Sequence, residues 1–410
     1  VVDWMGGLLG RRRLVLGAGL AAAGGGLRGA RAELPLSPAL PAGTRQEAVL
    51  AALPGKQDLI KLSWRPPNYE SPLDVFATPI TPNDRFFVRY HLAGVPERET
   101  LSDWSLSVGG PAAQRDLRFT LAGLKQLPAA EVLAVCQCSG NRRGLFDPHV
   151  PGVQWGVGAM GAAHWRGARL ADVLARAGVR AGAVEVAFRG ADQPVLEATQ
   201  PFRKSLPIAL ATDPRVLLAW SMNGEDIPIW NGYPVRLIVP GWTGTYWMKH
   251  LTQIELRDTP LDNLWMRKAY RVPRGMFPAD TAFPSQDDDK TSPVTEIVVN
   301  SLITAPLDGA PVAAAGFDLR GLAWDGGHGI AAVDVSIDGG ANWAAATLGE
   351  DMGPYAFRPF SARVAPRRTG RLVVQVRATG RNGAVQPPTL RRNPSGYHDN
   401  IIQSVTVDVA

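Results

Sequence analysis

The sequence predicts a mixed α+β domain followed by an antiparallel, immunoglobulin-like β-sandwich. Between residues 86 and 258, short β-branched and aromatic runs alternate with helical patterns. The polar run Pro284-Ser285-Gln286-Asp287-Asp288-Asp289-Lys290-Thr291 then has little to bury. Beyond it, β-branched runs at 297–299, 333–337, 371–376 and 405–407 are separated by turn signals, the layout of a sandwich. With 410 residues, 45% of them hydrophobic, the chain can bury an extensive core, which excludes a small disulfide-stapled fold.

The N-terminus is set apart before any fold is argued. Arg11-Arg12-Arg13 leads into an apolar Gly/Ala-rich stretch that ends near Ala30-Arg31-Ala32, and this arrangement reads as an export signal over 1–32. Paired arginines ahead of the apolar stretch point to the twin-arginine route and a periplasmic address. A membrane anchor is the plainer alternative, but the run is broken by glycines and shorter than the ~20 residues a span needs. Residues 33–75, rich in Pro, Ala and Leu, read as an irregular arm.

Within the mixed domain, 76–283, a strand at 132–135 runs into the loop after Cys138. Helical spacing over 170–178 ends at Gly178, and 235–240 is a buried strand stopped by Pro240. Residues 284–293 read as a linker. In the sandwich, 294–410, Asp338-Gly339-Gly340 follows the alternating Val333, Val335 and Ile337 and marks a hairpin turn.

Net charge is +6, from 43 Lys+Arg against 37 Asp+Glu, and the charges are scattered beyond the N-terminus. No nucleic-acid partner is expected; an anionic substrate or an acidic protein fits better. The chain has two cysteines, and Cys138 opens the run Cys138-Ser139-Gly140-Asn141-Arg142-Arg143. Arginines favour the thiolate, the form that attacks electrophiles and ligates soft metals. On composition alone, Cys136-x-Cys138 is open to four readings: a disulfide, a zinc half-site, a soft-metal ligand or inert core. An extended C-x-C pair sets its Cα atoms ~6.6 Å apart, at the long edge of disulfide geometry. A structural zinc site needs four protein ligands, and only His149 and distant histidines are at hand. Cys136, after Ala134 and Val135, is most simply a small buried hydrophobe. Gly140 is expected to let the loop turn sharply.

A second cationic cluster, Arg85-Phe86-Phe87-Val88-Arg89-Tyr90-His91-Leu92, lies upstream. Together the two runs resemble the molybdenum sulfite oxidase family, with bacterial periplasmic sulfite dehydrogenase subunits as the best match. The resemblance implies a molybdopterin-binding domain followed by a dimerisation sandwich. It implies Cys138 as the protein ligand of a molybdenum held by a pyranopterin dithiolene, and Arg89, Arg143 and Tyr270 at the substrate. It further implies cofactor contacts from Phe87, Val88, Arg89, Tyr90 and His91, from Asn231 and Arg236, and from Trp247, Met248 and Lys249, with Asp192 and Ser205 placed by alignment alone. Cys136 is left structural. Taken singly, Arg236 would more often be an ion-pair partner, and a lone Tyr or Trp is usually core.

The resemblance implies oxidation of sulfite to sulfate, with electrons leaving singly. The chain shows no C-x-x-C-H haem site and no recognisable haem or flavin segment, so a c-type cytochrome, as a subunit or a soluble protein, is the expected acceptor. A homodimer or a heteromer with that cytochrome is expected. Two departures from animal members stand out: Pro151 replaces a lysine, and no counterpart of their C-terminal-domain arginine stands out around Arg391-Arg392-Asn393-Pro394. Rival readings within the fold are a sulfane dehydrogenase subunit, a methionine sulfoxide reductase and a nitrate reductase. Outside it, a secreted sandwich could use Trp155, Trp165, Trp230, Trp242 and Trp247 to stack a ligand.

Overall fold

In the computed structural model, which describes residues 49–51 and 53–410, strands dominate and helices are short. The proposed export signal lies outside the described residues. Among those described, no helix is long and apolar enough to cross a membrane.

Two five-stranded sheets build the first domain. One is ordered Arg203–Pro207, Glu185–Gly190, Leu251–Arg257, Ser105–Gly109, Leu117–Thr120, with a single parallel pair between Leu251–Arg257 and Ser105–Gly109. The other runs Glu225–Asp226, Leu217–Met222, Met160–Arg169, Ala129–Gln137, and Arg236–Ile238 pairs with Leu217–Met222. The run expected at 132–135 is the middle of the nine-residue strand Ala129–Gln137, in register with Met160–Arg169 from Ala129↔Ala168 to Gln137↔Met160. That register delivers Cys136 and then Cys138 to one end of the sheet. Helix Leu170–Ala177 buries Leu170, Val173, Leu174 and Ala177, and Gly178, at φ 74°, ends it by donating its N–H to the carbonyls of Leu174 and Ala175.

The expected irregular arm is partly regular. Leu59–Ser63 and Asn68–Glu70 form, with Val49–Ala51 and Val88–Arg89, a small four-stranded antiparallel sheet. Its strands hold because Leu53, Leu59 and Tyr69 pack with Val88 and Tyr90 as a separate apolar cluster. The Pro/Ala-rich composition of the whole stretch hid this small core.

The second domain is a sandwich of two sheets. Asn300–Ala305, Phe317–Trp324, Arg358–Val364 and Thr347–Leu348 form one. Pro311–Val312, Gln403–Val409, Gly370–Gly380, Ile330–Ser336 and Ala344–Ala345 form the other. Their facing residues, including Leu319, Val333, Val374, Val376 and Val407, make its core. The hairpin after Ile330–Ser336 pairs Val335 with Ala344, so its loop is longer than the two-residue turn its Gly-Gly suggests. The strand expected at 297–299 begins instead at Asn300: Ile297 and Val299 are buried, but the Ile297 N–H bonds to the Gly241 carbonyl of the first domain. Ile297 packs in the joint between domains and Val299 in the core of the sandwich, so both are apolar without pairing as a strand.

That joint is extensive. Val135, Met160 and Ala162 of the first domain share a core cluster with Ile297, Leu302, Leu322, Trp324 and Phe357. Trp324 Nε1 donates to Gln137 Oε1 at 2.6 Å. The expected linker is strapped down: Thr291–Pro293 pairs antiparallel with Arg271–Pro273, and buried Gln286 donates to Glu185. Asp288 accepts from the backbone N–H groups of Lys290 and Thr291, and these bonds hold its carboxyl at about 2.

Candidate active site

A cavity opens where the cysteine loop, the 86–91 segment and the loops after Arg236–Ile238 converge. Of the residues singled out from sequence, Phe87, Arg89, His91 and Cys138 line it, as do Asp192, Asn231 and Arg236. Trp247, Met248, Lys249 and Tyr270 line it too, as do Cys136 and Trp230. Val88, Tyr90, Ser205 and Arg143 do not reach the lining.

The two cysteines are free and differ in setting. Cys136 is buried on its strand, with Arg236 Nη2 at 3.9 Å from its Sγ. Burial pushes its thiol up to about 11, with Arg236 opposing, so it is protonated at neutral pH. Cys138 lies one step beyond the strand's end. Its N–H donates to the Ala159 carbonyl and its carbonyl accepts from Asn141, so the loop is closed around it. The sharp turn falls on Arg142, at φ 70°, and not on Gly140. Gly140 serves space instead: a Cβ there would sit 2.4 Å from Arg143 Nη2. The adjacent arginines therefore diverge. Arg142 Nη1 reaches Asn300 Oδ1 of the second domain at 2.8 Å, whereas Arg143 donates to the carbonyls of Ser395 and Val153 at 2.7 and 3.1 Å.

The 86–91 segment alternates in role as a strand must. Arg89 and His91 face the cavity; Val88 and Tyr90 face the small N-terminal core. Arg89 is oriented by Asn68 Oδ1 and by the Tyr90 carbonyl. Tyr90 has a defined proton arrangement. His250 Nδ1 lies 2.7 Å from the Tyr233 carbonyl, so Nδ1 carries the hydrogen. Burial holds His250 down to about 3, so the ring is neutral and Nε2 accepts from the Tyr90 hydroxyl at 2.7 Å. The Lys249 ammonium sits 4.0 Å over the ring thus fixed, and donates to the Arg89 carbonyl at 2.5 Å.

On the opposite wall, His91 stacks on Phe202 at 3.7 Å and shares a hydrogen bond with the Tyr270 hydroxyl. Burial first, then the charges of Arg89, Lys249 and Lys204, keep His91 well below its usual range, hence neutral. Burial likewise raises Tyr270, so its hydroxyl keeps its proton. Tyr270 occupies the left-handed region at φ 57°.

Several residues went unnoticed in the sequence. Lys204 is almost fully buried, beneath the rings of Tyr246 and Tyr270 at 4.5 and 5.2 Å. Lys56 donates to Asn231 Oδ1 at 2.5 Å and to the Phe86 carbonyl, bracing two lining residues from behind. Phe202 lines the cavity beside His91; Trp230, weighed from the sequence only as part of a stacking surface, lines it too and donates to the Pro54 carbonyl. Their signals were weak: single lysines and aromatics in apolar runs read as surface and core.

The charge balance defines what fits. Among the described residues, none of Lys56, Arg89, Arg142, Arg143, Lys204, Arg236 or Lys249 pairs with a carboxylate within 4.0 Å. The one acid lining the cavity, Asp192, is pushed upward by burial, with Lys249 opposing. Of the cations, buried Arg236 and half-buried Arg89 and Lys249 line the cavity, and cations left there without anions make it complementary to a polyanion. Ser139 Oγ, on the lining, and Arg236 Nε are buried donors without protein partners. Among the described residues, no three His, Cys, Asp or Glu side chains cluster to hold a metal ion by themselves. A metal held here would therefore need most of its ligands from a bound organic group, and a phosphate-bearing dithiolene cofactor would fit both the thiol and the cations.

These features fit a molybdopterin-binding oxidoreductase, and the family matches show one. Residues 92–265 match the family model "Oxidoreductase molybdopterin binding domain", and 291–410 match "Mo-co oxidoreductase dimerisation domain". The chain belongs to the sulfite oxidase family. It is 37% identical over 379 residues to the mitochondrial sulfite oxidase of Drosophila melanogaster, covering 87% of this chain and 64% of that protein's length. It is 32% identical over 325 residues to the sulfite oxidase of Arabidopsis thaliana, covering 76% and 81%. Among solved structures, the sulfane dehydrogenase SoxCD from Paracoccus pantotrophus is similar at a TM-score of 0.71 and 25% identity, covering 94% of this chain and 93% of that one.

Proposed function

We propose that this chain oxidises sulfite to sulfate and passes the two electrons singly to a c-type cytochrome. The observation that carries the reading is the convergence of Arg89, Arg236 and Lys249, none paired with a carboxylate, on a cavity lined by Cys138. The net reaction is sulfite plus water to sulfate, two protons and two electrons. Bound in this cavity, a molybdenum-pyranopterin supplies the two-electron redox chemistry. Cys138 would hold the metal, and Arg236, Lys249 and Asn231 the phosphate-bearing end, through charge-assisted hydrogen bonds.

The remaining work belongs to the side chains. Arg89 presents a planar guanidinium that binds and orients a small oxyanion, a geometry lysine does not reproduce. Arg143 adds positive charge from behind the wall. The protonated Tyr270 hydroxyl is a donor for an anion oxygen, and neutral His91 fixes its direction. Buried aromatics around the cavity exclude bulk water and strengthen each of these interactions.

Sulfite-dependent reduction of cytochrome c by purified protein, with molybdenum determined on the same sample, tests the proposal; metal-loaded protein that leaves sulfite untouched rejects it. The similarity to SoxCD over nearly the whole chain favours a second reading, oxidation of a sulfane sulfur. Turnover of a persulfide in preference to sulfite would select it. We further propose a homodimer, or a heteromer with the cytochrome, built through residues 291–410, checked by sedimentation. Export by the twin-arginine route rests on Arg11 and Arg12; replacing both with lysine should strand the protein in the cytoplasm, read by cell fractionation.

A further inference from the structure

The loop over 393–398 belongs to the sandwich domain, yet it touches three parts of the active site. The His398 N–H donates to the carbonyl of Ser139, the residue after Cys138, at 3.1 Å. The Ser395 carbonyl accepts from Arg143 Nε at 2.7 Å. Tyr397 stands between them. Its ring stacks on Tyr270 with centroids 5.4 Å apart and planes 20° from parallel, and the Arg143 guanidinium lies 5.3 Å over the same ring. Its hydroxyl accepts the Tyr270 backbone N–H at 3.3 Å.

Tyr397 is itself fixed. Asn393 clasps it from both sides, its Nδ2 donating to the Tyr397 carbonyl at 2.8 Å and its Oδ1 accepting the Tyr397 N–H at 2.9 Å. Gly396, at φ 60°, lets the loop pass close to Arg143: a Cβ there would lie 2.8 Å from Arg143 Cγ. Tyr397 and Asn393 are both buried. Tyr270 needs such support, because a non-glycine residue in the left-handed region persists only where its surroundings hold it. The Tyr397 hydroxyl supplies the hydrogen bond to that backbone, and the Tyr397 ring covers one face of the Tyr270 side chain.

We propose that Tyr397 is a positioning residue for the oxyanion end of the site, its ring locating Arg143 and its hydroxyl fixing Tyr270. The role rests on the sulfite reading above for its substrate, though not for its geometry. It makes the sandwich domain part of the active site as well as a candidate interface.

The test uses the full chain loaded with cofactor, comparing wild type, Tyr397→Phe and Tyr397→Leu. Sulfite oxidation is measured per molybdenum, and binding of inorganic sulfate by calorimetry. Tyr397→Phe keeps the ring and loses one hydrogen bond, so KM for sulfite and Kd for sulfate should rise about fivefold. Tyr397→Leu loses the ring that Arg143 faces, and both constants should rise about thirtyfold. Variants with lower thermal stability or metal content but unchanged KM and Kd would show a merely structural residue and overturn the proposal. Wild-type protein that binds sulfate with this dependence on Tyr397 but does not oxidise sulfite would sink the substrate reading and leave the positioning role standing. Wild type that binds no sulfate would overturn the positioning role.

Discussion

Cys138 and Cys136, two positions apart, are set differently by the backbone. Both line the cavity, but Cys136 is still in the strand and is held protonated by burial, whereas Cys138 has left it. Replacing Cys138 with serine should abolish turnover while leaving the circular dichroism and melting of the protein near wild type; an active Cys138→Ser variant would reject the ligand role. Two lysines at the site make a second prediction. Burial lowers Lys204 and Lys249 to about 7 from 10.5 in the unfolded chain. Between those values the unfolded state binds more protons, so stability rises with pH. Glu70, raised by burial to about 8, opposes this below pH 8, and Cys136 and the buried tyrosines oppose it above 9.0, where an unfolded thiol ionises. From pH 8 to 9, cofactor-free protein should therefore gain on the order of 1 kcal/mol per lysine, read from urea melts. A flat or falling profile contradicts it.

The element that positions the most chemistry is the antiparallel pair Ala129–Gln137 and Met160–Arg169, and its packing tolerates little. Gly167 lies so close to Leu217–Met222 that a Cβ would sit 2.0 Å from the Leu218 carbonyl oxygen. Gly167→Ala should cost roughly 1–3 kcal/mol, measured by urea denaturation; an unchanged midpoint would show that the sheet shifts freely. This strand, helix Leu170–Ala177 and the sandwich strands were legible in the sequence because each has a strong period and a stop signal. The 297–299 run was misplaced because burial in the domain joint and the sandwich core produces the same β-branched pattern as strand pairing. The strands within 49–70 were missed because their core is only a few side chains. In the site, motif-borne residues such as Cys138, Arg89 and Lys249 could be read, while Lys204, Lys56 and Tyr397 could not. Their importance comes from approach across the fold, which no local pattern records.

At the scale of the molecule, the two domains share one apolar cluster and a charge-assisted contact, Arg142 to Asn300. Arg142→Met removes that contact and the positive charge that holds down the buried Asp399, whose carboxyl burial already raises. The loss should be about 2 kcal/mol, seen as a lower melting temperature in calorimetry with both domains still unfolding in one transition. An undisturbed melting curve would show that the apolar cluster alone joins them. The N-terminal sheet carries a consequence of another kind. Lys56 grips Asn231, Trp230 is tied to Pro54, and Asn68 orients Arg89, so the cavity's wall is stitched from the earliest described part of the chain to its middle, while Tyr397 closes it from near the end. Such a receptacle exists only when residues 54–397 are folded together, so whatever it holds ties distant parts of the chain to one another.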